Sequence, residues 1–129
     1  MSDVTVRKQR PKYLALNEIR LPLPGIVSIF HRISGAGLFL LLPFLLYLFD
    51  RSLGSPETFA TFPAVVDNFL VKLLLLGLLW AYLHHFCAGI RFLLLDLHIG
   101  GDLQPARNSA RLVFIVSLVL TVLIGVKLW

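Results

Sequence analysis

Three long apolar segments with few charged residues dominate the pattern of this 129-residue sequence. They run from about Pro24 to Phe49, from about Ala64 to Leu97 and from about Ala110 to Trp129. A helix needs roughly 20 residues to cross a hydrocarbon core of about 30 Å, and each segment reaches that length. The pattern therefore predicts an all-α integral membrane protein whose transmembrane domain spans residues 24–129.

Proline and glycine mark the expected helix boundaries. Pro22 and Pro24 lack backbone N–H donors and suit the start of the first helix, whereas Pro43 lies inside it and should kink it. Gly100 and Gly101 should end the second helix. The third segment closes on a lysine and a tryptophan, which suit the membrane–water interface.

Composition supports a lipid environment, because 57% of the residues are hydrophobic and the mean hydropathy is +0.83. The formal charge of +5 is concentrated near the N-terminus. Residues 1–23 thus form a basic segment beside apolar spans, which indicates a membrane surface rather than nucleic acid. The basic residues of this segment are Arg7, Lys8, Arg10, Lys12 and Arg20.

The distribution of positive charge also predicts the orientation. Arg107 and Arg111 add positive charge to the loop before the third span, whereas Arg51 in the first loop is offset by Asp50 and Glu57. The N-terminus should be cytoplasmic and the C-terminus periplasmic. The N-terminal residues lack the apolar stretch and cleavage site of a secretory signal, so we expect an unprocessed multi-pass protein of a bacterial inner membrane.

Polar side chains cluster on one face of the first predicted span. Ser28, His31, Arg32 and Gly35 are spaced i, i+3, i+4 and i+7, and that face should point into protein. An ionisable group deep in a bilayer costs about 2.5 to 3.5 kcal/mol and usually serves a ligand or pathway. Ser28 and Arg32 could donate hydrogen bonds to a quinone carbonyl. The alternative for Arg32 is a side chain that extends to the lipid headgroups.

The second span carries a candidate haem ligand at the same depth. His85 and Gly89 are one turn apart, so the glycine could leave room for a macrocycle beside the imidazole. His84 points about 100° away and shares a face with Ala88 and Arg91, which makes it the weaker candidate. The alternative for His85 is a neutral histidine hydrogen-bonded to another helix. Cys87, the single cysteine, is interpreted as a packing residue.

A haem in this position would need cations near its propionates and a second axial ligand. His31, Arg32 and Arg91 are the available cationic groups. The remaining histidines are adjacent to His85, on another face, or outside the apolar core. The second ligand is therefore expected from another subunit.

The sequence contains two signatures. The first is Ser28-Ile-Phe-His31-Arg32-Ile-Ser34-Gly35 after an Arg10-Pro11 pair, and the second is His85-Phe-Cys-Ala-Gly89-Ile90-Arg91. Both resemble the cytochrome b556 membrane-anchor family of bacterial succinate dehydrogenase, and the likeness covers nearly the whole chain. Departures from the family pattern are Lys12, Phe92 and Leu95, and Phe92 stands where a second histidine is frequent.

The resemblance implies a subunit that forms part of a heteromeric helical bundle. By similarity, His85 is one axial ligand of a haem b shared with a second anchor subunit, His31 and Arg32 approach its propionates, and Ser28 and Arg32 line a ubiquinone site. Succinate would be oxidised on a flavoprotein subunit, electrons would pass through an iron–sulfur subunit, and this chain would contribute no catalytic residue to that oxidation.

Two other functions remain open from the sequence. A fumarate reductase-type anchor would use the same scaffold for the opposite direction of electron flow. A small transporter or purely structural membrane subunit would use His31 and Arg32 for substrate binding or helix packing and would need no haem.

Overall fold

The structure is a computed structural model that describes residues 18–129, and helices are the only regular secondary structure among those residues. Its helices are α1 (Leu23–Leu53), α2 (Pro56–Val66), α3 (Phe69–Asp96) and α4 (Leu103–Leu128). The basic residues from Arg7 to Lys12 lie outside the described residues. The predicted all-α fold with three membrane-spanning helices is confirmed, because α1, α3 and α4 are each long and apolar enough to cross a membrane.

The three spanning helices are longer than the hydrocarbon core requires. With 31, 28 and 26 residues, α1, α3 and α4 measure roughly 46, 42 and 39 Å. Their ends therefore extend beyond a core of about 30 Å. Pro24 occupies the first turn of α1, and Pro43 lies within the helix, as expected.

A short helix that the sequence pattern did not predict precedes the second span. Ser55 caps α2 by accepting a hydrogen bond from the Thr58 N–H at 3.4 Å, and Pro56 starts the helix. Asn68 then caps α3 by accepting from the Leu70 N–H at 2.9 Å. The two caps divide the region, so the second span begins at Phe69 rather than at about Ala64.

Helix α3 ends at Asp96, close to the expected Leu97, but residues before the glycine pair form the stop. The Ile99 N–H donates to the Leu94 carbonyl and the His98 N–H donates to the Leu95 carbonyl, both at 2.9 Å. This is the Schellman arrangement, whose left-handed position is usually glycine. Here His98 takes that position with φ of 61°.

Helix α3 packs against α1 and α4, and α1 and α4 also touch each other, so the spans form a triangle. Consecutive spans run in opposite directions, which places the start of α1, the end of α3 and the start of α4 on one side, called here the entry side. A cluster of buried apolar side chains lies toward that side and contains Val27, Ala88, Ala110 and Val113.

Small side chains allow α4 to approach its neighbours. Its buried face carries Ala110, Ser117, Thr121 and Gly125, and a Cβ at Gly125 would lie 2.9 Å from the Leu76 side chain. Large apolar residues elsewhere point outward, for example Phe39 at 75% exposure and Val126 at 77%. Such a surface suits lipid or neighbouring membrane subunits.

Candidate functional site

The polar face of α1 lies near the entry side and is only partly covered by the other helices. Ser28 and His31 are half-buried and Arg32 is exposed. Neither Ser28 nor Arg32 has a side-chain hydrogen bond to any residue from 18 to 129. Both donors are therefore available to a ligand or to a neighbouring subunit.

The structure brings the two signatures of the sequence into direct contact. The rings of His31 on α1 and His85 on α3 stack with centroids 4.1 Å apart and planes within 9°. Phe92, one of the departures from the family pattern, meets the His31 ring edge-on at 5.1 Å. Two stretches more than fifty residues apart thus form one partly exposed pair of imidazoles.

Hydrogen bonds to α1 determine the tautomer of the His85 ring. Nδ1 lies 3.0 Å from the His31 carbonyl oxygen and 3.3 Å from Ser34 Oγ. A carbonyl oxygen only accepts, so Nδ1 carries the hydrogen and Nε2 carries the lone pair. Nε2 has no hydrogen-bond partner within residues 18–129 and is not fully buried.

This is the arrangement of a metal-ligating histidine, in which the second ring nitrogen donates to a carbonyl and orients the ligand. The donor set of the site therefore fits a haem iron. His31 cannot be the opposite ligand of the same iron, because stacked rings have lone pairs in parallel planes that do not point at one another. Among the described residues no group of three metal-ligating side chains is present.

Close approach of the helices at His85 depends on a glycine of α1. A Cβ at Gly35 would lie 2.8 Å from His85 Cε1, nearer than real Cβ atoms come. Gly89, which was expected to leave space beside His85, instead faces His31, whose Nε2 lies 3.7 Å from the position of an added Cβ. The open space beside Gly89 is thus partly taken by the His31 ring.

His84 lies on a different face of α3, as the helical geometry predicted. It is fully buried, and its ring contacts the aromatic rings of Phe30, Trp80 and Phe114. Its ring is thus enclosed by aromatic side chains, whereas the rings of His31 and His85 stack at a partly exposed position.

Arg91 is directed toward α4 rather than toward the histidine pair. Its Nε donates to Ser109 Oγ at 3.0 Å and its Nη2 donates to the Ala106 carbonyl at 3.3 Å. The side chain is 6% exposed, so these contacts join the entry-side ends of α3 and α4. Contact between Arg91 and a propionate stays a prediction.

Sequence reasoning did not assign a role to Ser34, although it belongs to the first signature. Ser34 is buried, donates to the His31 carbonyl at 3.0 Å and lies beside His85 Nδ1. Its position three residues after His31 was the available signal, because a serine in a helix commonly bonds the carbonyl one turn earlier.

Comparisons with known proteins cover almost the entire chain. Residues 6–124 match the model of a family described as the succinate dehydrogenase/fumarate reductase transmembrane subunit. The match includes both signatures, all of α1 and α3, and most of α4.

Curated relatives give the same result. The chain is 40% identical over 122 residues to the succinate dehydrogenase cytochrome b556 subunit of Coxiella burnetii, covering 94% of this chain and 98% of that protein. It is 35% identical over 123 residues to the subunit of the same name from Paracoccus denitrificans, covering 95% and 94%. A third such subunit, from Rickettsia felis, is 26% identical over 121 residues.

Proposed function

Because the chain belongs to the succinate dehydrogenase/fumarate reductase transmembrane subunit family, we propose that it is a haem b-binding anchor that forms part of a quinone-reduction site. Membership makes it a membrane subunit that associates with other subunits of the complex. The proposal adds that these are a flavoprotein, an iron–sulfur protein and a second membrane anchor. It also adds that electrons reach quinone from the iron–sulfur subunit.

His85 is the proposed axial ligand of haem b. The observation that carries this assignment is the Nδ1 contact of 3.0 Å with the His31 carbonyl, which leaves Nε2 as a bare lone pair at a partly exposed position. The name cytochrome b556 of the relatives supports the haem type. When bound, haem b supplies a one-electron carrier within the membrane.

The second axial ligand is proposed to come from the companion anchor. His31 stacks on His85, and His84 is enclosed by aromatic rings, so neither side chain is positioned to serve as the second ligand. The partly exposed edge of His85 lets a neighbouring subunit complete the site. Haem would then be shared between two chains.

We propose that the haem propionates contact His31 and Arg32, which lie on the polar face of α1. Arg32 is exposed and unengaged within residues 18–129, so its guanidinium can reach an anionic carboxylate. Arg91 is proposed to contact a propionate only with its remaining donors, because its Nε and Nη2 already donate to α4.

Ser28 and Arg32 are proposed to bind ubiquinone. They are one helical turn apart on α1, and each offers a donor that is unused within the described residues. The serine hydroxyl can donate to a quinone carbonyl, and the guanidinium can stabilise the negative charge that develops there on reduction. Water from the entry side is the proposed source of protons.

The membrane in question is proposed to be a bacterial inner membrane, with the entry side cytoplasmic. The curated relatives are bacterial. The family description also covers fumarate reductases, so an anchor operating in the opposite direction is the second candidate. Relative rates of succinate oxidation and fumarate reduction by the purified complex distinguish the two.

A visible difference spectrum tests the haem assignment. The complex is purified through this subunit in mild detergent, and the reduced-minus-oxidised spectrum is recorded for the native chain, His85→Ala and His84→Ala. We expect a b-type band that is lost or greatly weakened in His85→Ala and mostly retained in His84→Ala. The reverse pattern would refute the ligand assignment, and no band in an intact complex would leave a haem-free quinone anchor. Absence of both haem and partner subunits would favour the transporter interpretation.

Quinone kinetics test the second part of the proposal. Ser28→Ala and Arg32→Ala should slow quinone reduction roughly 10- to 100-fold, the effect of losing one hydrogen bond to a charged group. Succinate oxidation with an artificial acceptor should persist. Ser52→Ala, at the opposite end of α1, and Arg111→Ala, on α4, are the matched controls. Unchanged quinone kinetics in the Ser28 and Arg32 variants would exclude them from the site.

A further inference from the structure

Three buried polar atoms meet at the junction of α1, α3 and α4 without a hydrogen-bond partner within residues 18–129. They are Nε1 of Trp80 and both ring nitrogens of His84. The two rings touch, with centroids 5.2 Å apart. His84 has no exposed surface at all. Buried donors and acceptors are nearly always paired in folded proteins, so this cluster calls for a partner.

The surrounding side chains cannot provide one. Phe30 lies against both rings, and Phe114 lies against His84 with centroids 5.1 Å apart. The Val27 carbonyl lies beside the imidazole but outside hydrogen-bonding geometry.

We propose that a single water molecule binds between Trp80 and His84. The cluster contains two donors, the indole N–H and one imidazole N–H, and one acceptor, the other imidazole nitrogen. Water accepts from the Trp80 N–H and donates to the unprotonated nitrogen of His84. The imidazole N–H then turns by a small amount to the second lone pair of the Val27 carbonyl. Every polar atom of the cluster is satisfied.

Charge and size favour water over other small ligands. A cation would face a tryptophan N–H, which only donates, and a single imidazole without a carboxylate, because the described residues hold no group of three metal-ligating side chains. An anion would bring an unpaired charge among phenylalanine rings. Water both donates and accepts and is the smallest molecule that does so.

The water site is separate from the proposed haem site. His84 and Trp80 share one face of α3 at i and i+4, whereas His85 lies on the face against His31 and Gly35. The proposed water therefore joins two side chains of α3, whereas the His84 N–H joins α3 to α1 through the Val27 carbonyl. The inference does not depend on haem binding, so the two proposals can fail separately.

A double-mutant cycle on the purified complex tests the bridge. Trp80→Phe keeps an aromatic ring and removes the N–H, and His84→Leu removes both ring nitrogens at similar volume. With a bridging water, each single change leaves the other group unpartnered, so each should lower the thermal midpoint by a few degrees. The double variant should lose clearly less than the sum. Additive losses would overturn the proposal.

A control cycle and a density map complete the test. Tyr82→Phe removes an exposed hydroxyl from α3 and should be additive with His84→Leu. An electron cryo-microscopy map that shows ordered water should contain density within hydrogen-bond distance of Trp80 Nε1 and the His84 ring. A direct Trp80–His84 hydrogen bond, or no density between the rings, would overturn the proposal even if His84→Leu does not assemble.

Discussion

Gly35 determines how closely α1 can approach the imidazole of His85. A methyl group at this position would lie 2.8 Å from His85 Cε1, and a stacked ring and two nearby acceptors hold the imidazole in place. We predict that Gly35→Ala displaces the ring and lowers haem occupancy, with a cost of about 1 to 3 kcal/mol for the overpacked contact. Haem content per assembled complex, from the difference spectrum, measures the effect.

Gly37, two residues away on the same helix, is the matched control. No atom lies within 4 Å of an added Cβ there. Gly37→Ala should leave haem content unchanged and improve helix stability by up to about 1 kcal/mol. Equal haem content in both variants would show that the close approach at Gly35 does not position the ligand.

Residue types and their spacing identified candidate site residues, but they did not predict which of these residues contact each other. His85, His31, Ser28 and Arg32 could be singled out because ionisable or polar groups are rare in apolar spans. Their partners could not, because the rotation of α1 against α3 decides which glycine meets which ring. Spacing within one helix assigned the open position beside His85 to Gly89, whereas the close approach at His85 is made by Gly35 from the neighbouring helix.

At the scale of the helices, Arg91 joins α3 to α4. Its guanidinium donates to Ser109 Oγ and the Ala106 carbonyl from a buried position. Arg91→Ala should therefore lower stability by roughly 1.5 to 3 kcal/mol, the value of hydrogen bonds from a charged donor. Ser109→Ala should reproduce part of that loss, which the thermal midpoint of the complex reports.

The haem band in these variants distinguishes two roles for Arg91, which are packing of α3 against α4 and contact with a propionate. If the side chain only joins α3 to α4, the complexes that assemble with Arg91→Ala or Ser109→Ala should have a normal band. Arg107→Ala, at an exposed position on α4, is the control for loss of a cation. A haem defect in Arg91→Ala with a normal band in Ser109→Ala would instead favour contact with a propionate.

The end of α3 carries local strain at His98. A residue with a side chain costs about 1 to 2 kcal/mol in the left-handed conformation, and His98 adopts φ of 61°. We predict that His98→Gly raises the thermal stability, by about 0.5 to 1 kcal/mol after the entropy cost of glycine. His98→Ala keeps the strain and should bring no gain. A loss of stability in His98→Gly would mean that the exposed imidazole has a stabilising contact with another subunit.

Helix boundaries illustrate where the sequence pattern is insufficient. The apolar pattern assigned residues 64–68 to the second span. In the structure, the side chains of Ser55 and Asn68 accept hydrogen bonds from backbone N–H groups, so α2 and α3 begin separately. The glycine pair suggested a stop at Gly100, yet a histidine occupies the left-handed position earlier. Capping contacts are made by single atoms, so an averaged apolar pattern does not resolve them.

At the scale of the whole molecule, the remaining prediction is the orientation in the membrane. It rests on the excess of positive charge at the entry side compared with the opposite end of the bundle. Glu57 on α2 and Gly101 before α4 lie at opposite ends and are both exposed. In a chain whose only cysteine is replaced by Cys87→Ala, Glu57→Cys should react with a membrane-impermeant maleimide in intact spheroplasts. Gly101→Cys, where an added Cβ meets no atom within 4 Å, should react only after permeabilisation. The opposite labelling pattern would place the proposed quinone site on the periplasmic side. An iron–sulfur subunit in the cytoplasm could not then deliver electrons to this site, so the proposed electron path would be wrong.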